Sequence, residues 1–240
     1  MNVEIWSDVF CPFCYIGKRK FEQALEQFAH RDEVEVTWRS FELAPGAPLE
    51  SDRDLYDVLA AKFGVSRAEA RAMNERVVAQ AAAVGLRYDL DRVQPTNSFD
   101  AHRVIHLAAQ HGLQDAAKER LLAAYFTEGR HVGRADTLVE LAAEVGLDPQ
   151  ETAAMLASDD YAAEVRGDIA EARELGINGV PFFVLDRKYG VSGAQASETF
   201  LAALEQAWTA SHPLTMLGDQ PGADAADACA DGACAVPADK

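Results

Sequence analysis

Four cysteines stand in two close pairs, Cys11 with Cys14 and Cys229 with Cys234, at opposite ends of the 240 residues. Two thiols separated by two residues suit disulfide exchange, in which one thiolate attacks and its neighbour resolves the mixed disulfide, or they suit metal ligation. At the start of a helix the spacing puts both sulfurs on one face about a turn apart. The N-terminal sulfur then meets unpaired backbone N–H groups and the positive end of the helix dipole, which lower its pKa from about 8.5. The expectation is therefore Cys11 as attacking thiolate and Cys14 as the less exposed resolving thiol. Between them, Pro12 fits the first helical position, and Phe13 offers no charge or N–H to a thiolate, which favours a moderate exchanger over an extreme oxidant.

The elements around the pair fit a strand-to-helix junction. Val3-Glu4-Ile5-Trp6-Ser7 alternates apolar and polar residues as a half-buried strand does, and Ile16, Phe21, Ala24, Leu25 and Phe28 share one helix face. Val34 to Phe41 alternates again, giving β-α-β with two parallel strands if the crossover is right-handed. From about Ser51 to Gly176 the pattern is helical: a Ser66–Glu69 capping box, then helices at Ser98 to Gln110, Asp115 to Thr127, Thr137 to Val145, Asp148 to Ala157 and Tyr161 to Leu175. Strand character returns at Phe182 to Asp186 and Gly190 to Gly193 across a hairpin turn, and Ala196 to Trp208 closes the order as an amphipathic helix.

Composition narrows the function. With 22 Lys and Arg against 39 Asp and Glu, a formal charge of −17 argues against phosphate backbones and anionic lipid surfaces, so neither nucleic acid nor membrane is an expected partner. No apolar stretch of about 18 residues suggests a membrane span, and Met-Asn-Val-Glu-Ile-Trp-Ser-Asp lacks the pattern of a secretory signal, so a cytoplasmic location is expected. In that reducing compartment the cysteines read as redox or metal chemistry rather than as a scaffold.

Other candidates read more blandly. Asp8 is expected to cap the first helix, Lys18 to be a solvated surface lysine, Asn97 to cap a later helix and His102 to be a partly buried packing residue. His102, His106 and His111 lack the spacing of a catalytic metal site, so no metal site is assigned. Residues 212–240, rich in Asp, Ala and Gly, read as a flexible acidic tail. About 20 extended residues reach roughly 65 Å, so Cys229 and Cys234 form a candidate auxiliary redox pair able to exchange with Cys11 and Cys14. The alternative is a zinc-responsive Cys₄ site built from both pairs.

Ser7-Asp8-Val9-Phe10-Cys11-Pro12-Phe13-Cys14-Tyr15-Ile16-Gly17-Lys18-Arg19 resembles the active site of the DsbA-like thioredoxin superfamily, in its FrnE branch. Asn97-Ser98-Phe99-Asp100-Ala101-His102-Arg103 and Gly179-Val180-Pro181-Phe182-Phe183 resemble two further signatures. The resemblance implies an α/β thioredoxin fold with a large all-helical insertion: βαβ with the cysteines over residues 1–48, helices over 49–176, and ββα over 177–211. It implies dithiol-disulfide oxidoreductase or isomerase activity on protein thiols and disulfides, with glutathione or a thioredoxin-type reductant as candidate electron source and no cofactor. Pro181 matches a proline that is cis and borders the peptide groove, so Val180 and Pro181, with Pro12 and Phe13, are the expected substrate-binding residues. Because X-Pro bonds are mostly trans, the cis expectation comes from the resemblance alone. Kappa-class glutathione transferases and 2-hydroxychromene-2-carboxylate isomerases carry serine where this chain has Cys11, which favours thiol exchange over glutathione-dependent isomerisation or transfer.

Overall fold

A computed structural model describes residues 1–212. Strands β1 (Asn2–Ser7), β2 (Glu35–Ser40), β3 (Phe182–Leu185) and β4 (Tyr189–Ser192) form one sheet in the order β2-β1-β3-β4. β1 and β2 are parallel, as the crossover through α1 (Pro12–Gln27) requires, whereas β3 runs antiparallel to both β1 and β4. The β3–β4 turn places Asp186 and Arg187 at φ 47° and 54°. Asp186 offsets part of that conformational cost by exchanging hydrogen bonds with Asn2: its N–H donates to the Asn2 carbonyl and its Oδ1 accepts from the Asn2 N–H, both at 2.8 Å.

Period-two alternation gives the sheet two apolar faces. On one, Phe183 meets Phe21 of α1 and Phe200 of α9 (Ser197–Ser211), with ring centroids 4.5–5.8 Å apart. On the other, Trp6 packs with Ala172, Ile177 and Val184, and its indole N–H donates to the Asp168 carbonyl at 2.9 Å. Seven helices lie between β2 and β3: α2 (Leu55–Phe63), α3 (Arg67–Ala82), α4 (Phe99–Gln110), α5 (Gln114–Phe126), α6 (Ala135–Glu144), α7 (Pro149–Leu156) and α8 (Ala162–Glu174). The chain thus has a thioredoxin fold with a helical insertion. The inserted helices from Ser98 on start and stop within about two residues of expectation, the last helix α9 runs three residues past it, and the Ser66–Glu69 capping box is present with both of its reciprocal hydrogen bonds.

Two inserted helices seal the exposed edge of β2. Gln114, at the start of α5, accepts from the Trp38 N–H and donates to the Trp38 carbonyl, each at 2.9 Å, as a neighbouring strand would. Asp168 of α8 accepts from the Ser40 N–H at 2.8 Å. An unpaired strand edge invites pairing with another chain, and side-chain amide and carboxylate groups close this one. The buried apolar residues of α4, α5 and α6, among them Val104, Leu121, Leu122 and Leu138, are continuous with Val3, Ile5 and Trp38 of the sheet. Among the described residues no helix is long and apolar enough to cross a membrane.

Gly17 marks a close approach between α1 and the loop entering β3. A Cβ there would lie 3.0 Å from Pro181 Cγ and 3.5 Å from both Phe183 Cζ and Ala194 Cβ. Gly17→Val should therefore cost about 1–3 kcal/mol through overpacking. Gly167→Ala in α8, where nothing lies within 4 Å of the new methyl, should gain up to about 1 kcal/mol by helix propensity. Urea unfolding of the two variants checks the contrast, and equal effects would mean that α1 does not press on the proline loop.

Candidate active site

Cys11 occupies the N-cap position of α1 and Pro12 the first helical position, where the missing N–H is not needed. The Cys11 N–H donates to the Asp8 carbonyl at 3.3 Å and the Cys14 N–H to the Cys11 carbonyl at 3.0 Å. This turn holds both sulfurs over the end of β1. Cys11 is 4% exposed and Cys14 fully buried, and both are free thiols. The Cys11 thiol donates to the Val180 carbonyl at 3.4 Å, in the loop before β3, and the Val180–Pro181 peptide is cis as the resemblance implied. Phe13 between the cysteines is 39% exposed. Pro12, Phe13, Val180 and Pro181 thus lie around or beside the outer thiol.

The inserted helices and the loop before them fix the motif from outside the sheet. Tyr88, between α3 and α4, donates its hydroxyl to the Pro12 carbonyl at 2.7 Å. Phe10 lies against Tyr125 of α5 with ring centroids 4.8 Å apart. Beneath the cysteines sits Lys118 of α5, 1% exposed, whose ammonium donates one long bond of 3.4 Å to the Ser7 carbonyl and lies 5.6 Å from the Trp38 ring. Burial pushes its pKa down to about 8, against the favourable pull of Cys14, Asp8 and Cys11.

Lys118 redistributes the charge expected for the thiols. Burial of Cys14 opposes its thiolate, but the Cys11 S–H, the Lys118 ammonium and the Asp8 backbone are among the groups that outweigh it, so its pKa is lowered. Cys11 is pushed well up, first by its hydrogen bond with Cys14, then by burial and by repulsion from the Cys14 charge. The helix N-terminus is expected to make Cys11 the acidic thiol; in the structure the two sulfurs share one readily lost proton, and Lys118 favours their charge from the Cys14 side. The groups that favour negative charge face Cys14, whereas Cys11 meets a carbonyl acceptor that holds its proton. The two sulfurs titrate as a pair that gives up one proton readily and the second with difficulty.

Three bland expectations also change. Asp8 does not cap α1: its Oδ2 accepts from the Leu43 N–H at 2.7 Å, and its Oδ1 lies 3.3 Å from His102 Nε2. His102 is therefore a fully buried partner of a buried carboxylate. Although burial opposes ionisation of Asp8, His102, the Leu43 N–H and Lys118 keep its pKa low; burial likewise keeps His102 low despite Asp8. Lys18, expected in solvent, is 2% exposed and ion-paired with Glu22, Asp115 and Glu119, which tie α1 to α5. Asn97 does act at a helix start, its Oδ1 accepting from the Phe99 N–H at 2.8 Å. The available signal for Lys118 was weak: it follows Ala117 on a helix whose charged residues at 115, 118, 119 and 120 read as an outward face. Cys229 and Cys234 lie outside the described residues.

A cis-proline loop over an N-terminal helical dithiol, on a sheet of this order, defines a thioredoxin-fold protein. The profile of the DSBA-like thioredoxin domain matches residues 2–205, and the chain belongs to that family. It is 47% identical to the probable DsbA oxidoreductase SCO1869 of Streptomyces coelicolor, with 99% of this chain and 100% of that one covered at a TM-score of 0.85. The uncharacterized protein YwbO of Bacillus subtilis (strain 168) is 28% identical over 206 residues, 85% of this chain and 96% of its own. The cytosolic disulfide reductase DsbM of Pseudomonas aeruginosa shares the fold at 17% identity and a TM-score of 0.60, over 88% of this chain and 100% of its own. DsbM has also been solved with glutathione, a comparison at 19% identity, 86% and 98% coverage and the same TM-score.

Lys118 gives a stability prediction with a definite sign. Its folded pKa of about 8 lies below the ordinary 10.5, so holding the amine charged in the folded protein costs roughly 3 kcal/mol at neutral pH. That cost is full below about pH 8 and disappears as pH rises past about 10.5. Lys118→Met should therefore raise the urea midpoint at pH 7 and lose its advantage by about pH 10. A variant less stable than wild type at neutral pH would show that the ammonium is a net stabilising contact.

Proposed function

We propose that this protein is a cytoplasmic thiol-disulfide oxidoreductase with disulfide isomerase character, acting on protein cysteines through Cys11 and Cys14. The observation that carries the reading is the Cys11 thiol at the helix start, bonded to the Val180 carbonyl of the cis-proline loop, with Cys14 buried behind it. In reduced protein the pair holds one negative charge. A proton passing from Cys11 to Cys14 across their hydrogen bond leaves the charge on the sulfur nearer the surface. Cys11 then attacks a substrate disulfide, an S–S bond forms to Cys11, and the released substrate thiolate takes a proton from water. Cys14 resolves the mixed disulfide by attacking Cys11 Sγ, so the substrate gains two electrons and the enzyme is left with a Cys11–Cys14 disulfide.

Exposed Phe13, with Pro12, Val180 and Pro181, would hold an extended substrate segment beside Cys11. Glutathione is the candidate small thiol that recycles the pair. It supports this reading that DsbM, which shares the fold, has been solved with glutathione.

Insulin reduction and refolding of scrambled ribonuclease test the reading. Cys11→Ser should abolish both activities by 10²-fold or more, on the order expected for loss of a nucleophile. Cys14→Ser should accumulate mixed disulfides at Cys11, visible by mass spectrometry. Full activity in Cys11→Ser would overturn the assignment.

A further inference from the structure

Resting on the exchange reading, a cavity beside the cysteine motif bears on which substrates the site takes. It lies between α2, α3 and residues 88–91, with a volume of about 260 Å³. Tyr88 lines it and also donates its hydroxyl to the Pro12 carbonyl at 2.7 Å, so one tyrosine separates the cavity from the residue that follows Cys11. That wall is firmly backed. The Tyr88 ring stacks on Phe126 with centroids 4.8 Å apart, and the Asp89 N–H donates to the Phe126 carbonyl at 2.7 Å. Pockets for whole small molecules start at about 300 Å³, so this space suits a single side chain better than a free cofactor.

The lining selects the charge of that side chain. Tyr56, Val78, Tyr88 and Leu90 offer apolar surface suited to a methylene stem. Arg71 is already engaged: its Nη2 lies 3.1 Å from Asp91 Oδ2 and its guanidinium 5.2 Å from the Tyr56 ring centroid, so Arg71 and Asp91 answer each other. Glu75 and Asp89 remain, and among the described residues neither carboxylate has an ion-pair or side-chain hydrogen-bond partner. Asn74 points independently to the same kind of ligand. It lines the cavity at 8% exposure, and its Nδ2 donates to the Ala70 carbonyl at 2.8 Å, whereas its Oδ1 accepts no hydrogen bond among the described residues. An open amide oxygen on a buried residue, beside two unpaired carboxylates, is matched by a donor that is also a cation.

We propose that this cavity is a subsite for a lysine or arginine side chain of the protein substrate, near the substrate cysteine that reacts with Cys11. The cationic head meets Glu75, Asp89 and the Asn74 amide oxygen, and its stem lies along Tyr56 and Tyr88. The segment between the two substrate residues crosses Pro12 and Tyr88. An extended chain advances roughly 3.3–3.6 Å per residue, which places the basic residue about three or four positions from the reacting cysteine. The formal charge of −17 draws the same class of substrate from a distance, and the cavity then sets where its positive charge sits.

Peptides with a single cysteine held as its thionitrobenzoate disulfide test this, with lysine, norleucine or glutamate about three or four positions away. Release of thionitrobenzoate by reduced full-length protein carrying Cys229→Ser and Cys234→Ser is the readout. Loss of reaction with every peptide would sink the exchange reading itself. With exchange present, kcat/KM for the lysine peptide should exceed that for the norleucine peptide by about tenfold, mainly through KM, and the glutamate peptide should be the slowest. Lysine and norleucine peptides within about twofold of each other would overturn the subsite and leave the exchange chemistry standing. Glu75→Gln combined with Asp89→Asn should bring the lysine-to-norleucine ratio close to one. Glu198→Gln combined with Glu205→Gln on α9 changes the net charge equally and should keep the ratio. A ratio that survives the first pair, or falls as far with the second, would show that the cavity does not select the substrate. If the first pair does not fold, Glu75→Gln alone decides: a ratio at least halved supports the proposal, and an unchanged ratio overturns it.

Discussion

A positive charge held out of water under Cys14 is the constraint on which the rest of the site depends. Lys118 reaches this place from α5, a helix of the insertion, and its ammonium favours the Cys14 thiolate and the Asp8 carboxylate at once. Burying it is unfavourable, since its pKa is pulled down despite those partners. The surrounding structure keeps it there. Gln114 fixes the start of α5 to the edge of β2, Trp38 lies beside the amine, and the Lys18 ion pairs join α5 to α1. Stability is given up locally and recovered in the packing, as functional sites commonly require.

The inserted helices therefore belong to the chemistry as well as to the architecture. The sheet and α1 supply the dithiol, and the β3 loop supplies the cis-proline peptide and the Val180 carbonyl. The insertion supplies Lys118 under the motif, His102 beside Asp8, and Tyr125 against Phe10, while Tyr88 just ahead of α4 holds the Pro12 carbonyl. On the far face Asp168 joins α8 to β2 by accepting from the Ser40 N–H and from Arg39 at 3.1 Å. The charge pattern of the site is thus set in part by Lys118, about a hundred positions from the cysteines it influences.

That separation explains what was legible in the sequence. Local rules carried β1, α1, β2 and the hairpin, because alternation, helical spacing and Pro12 at the first helical position each act within a few residues. They also carried the CxxC at its strand-to-helix junction. They failed where a charged residue is buried by tertiary contact. Lys18 reads as solvent-facing because lysine on a helix usually is, nothing in the sequence singles out Lys118, and nothing near either one announces Asp115, Glu119 or Ser7 as its partner. Asp8 read as a cap because Ser, Thr, Asp and Asn usually cap when they precede a helix closely, but Leu43 and His102 claimed its oxygens. The acidity of the thiols is only partly legible for the same reason: the helix dipole beside Cys11 is local and visible in sequence, whereas the lysine that favours their charge from the Cys14 side is distant.

The most direct test of this account is a thiolate absorbance titration of the fully reduced protein, with Cys229 and Cys234 replaced by serine so that only Cys11 and Cys14 contribute. The account predicts that one thiolate equivalent appears with an apparent pKa below the free value of about 8.5, and that the second proton is held to far higher pH. Two equivalents appearing together near about 8.5 would contradict it, because the sulfurs would then be neither coupled to each other nor governed by the buried charge of Lys118.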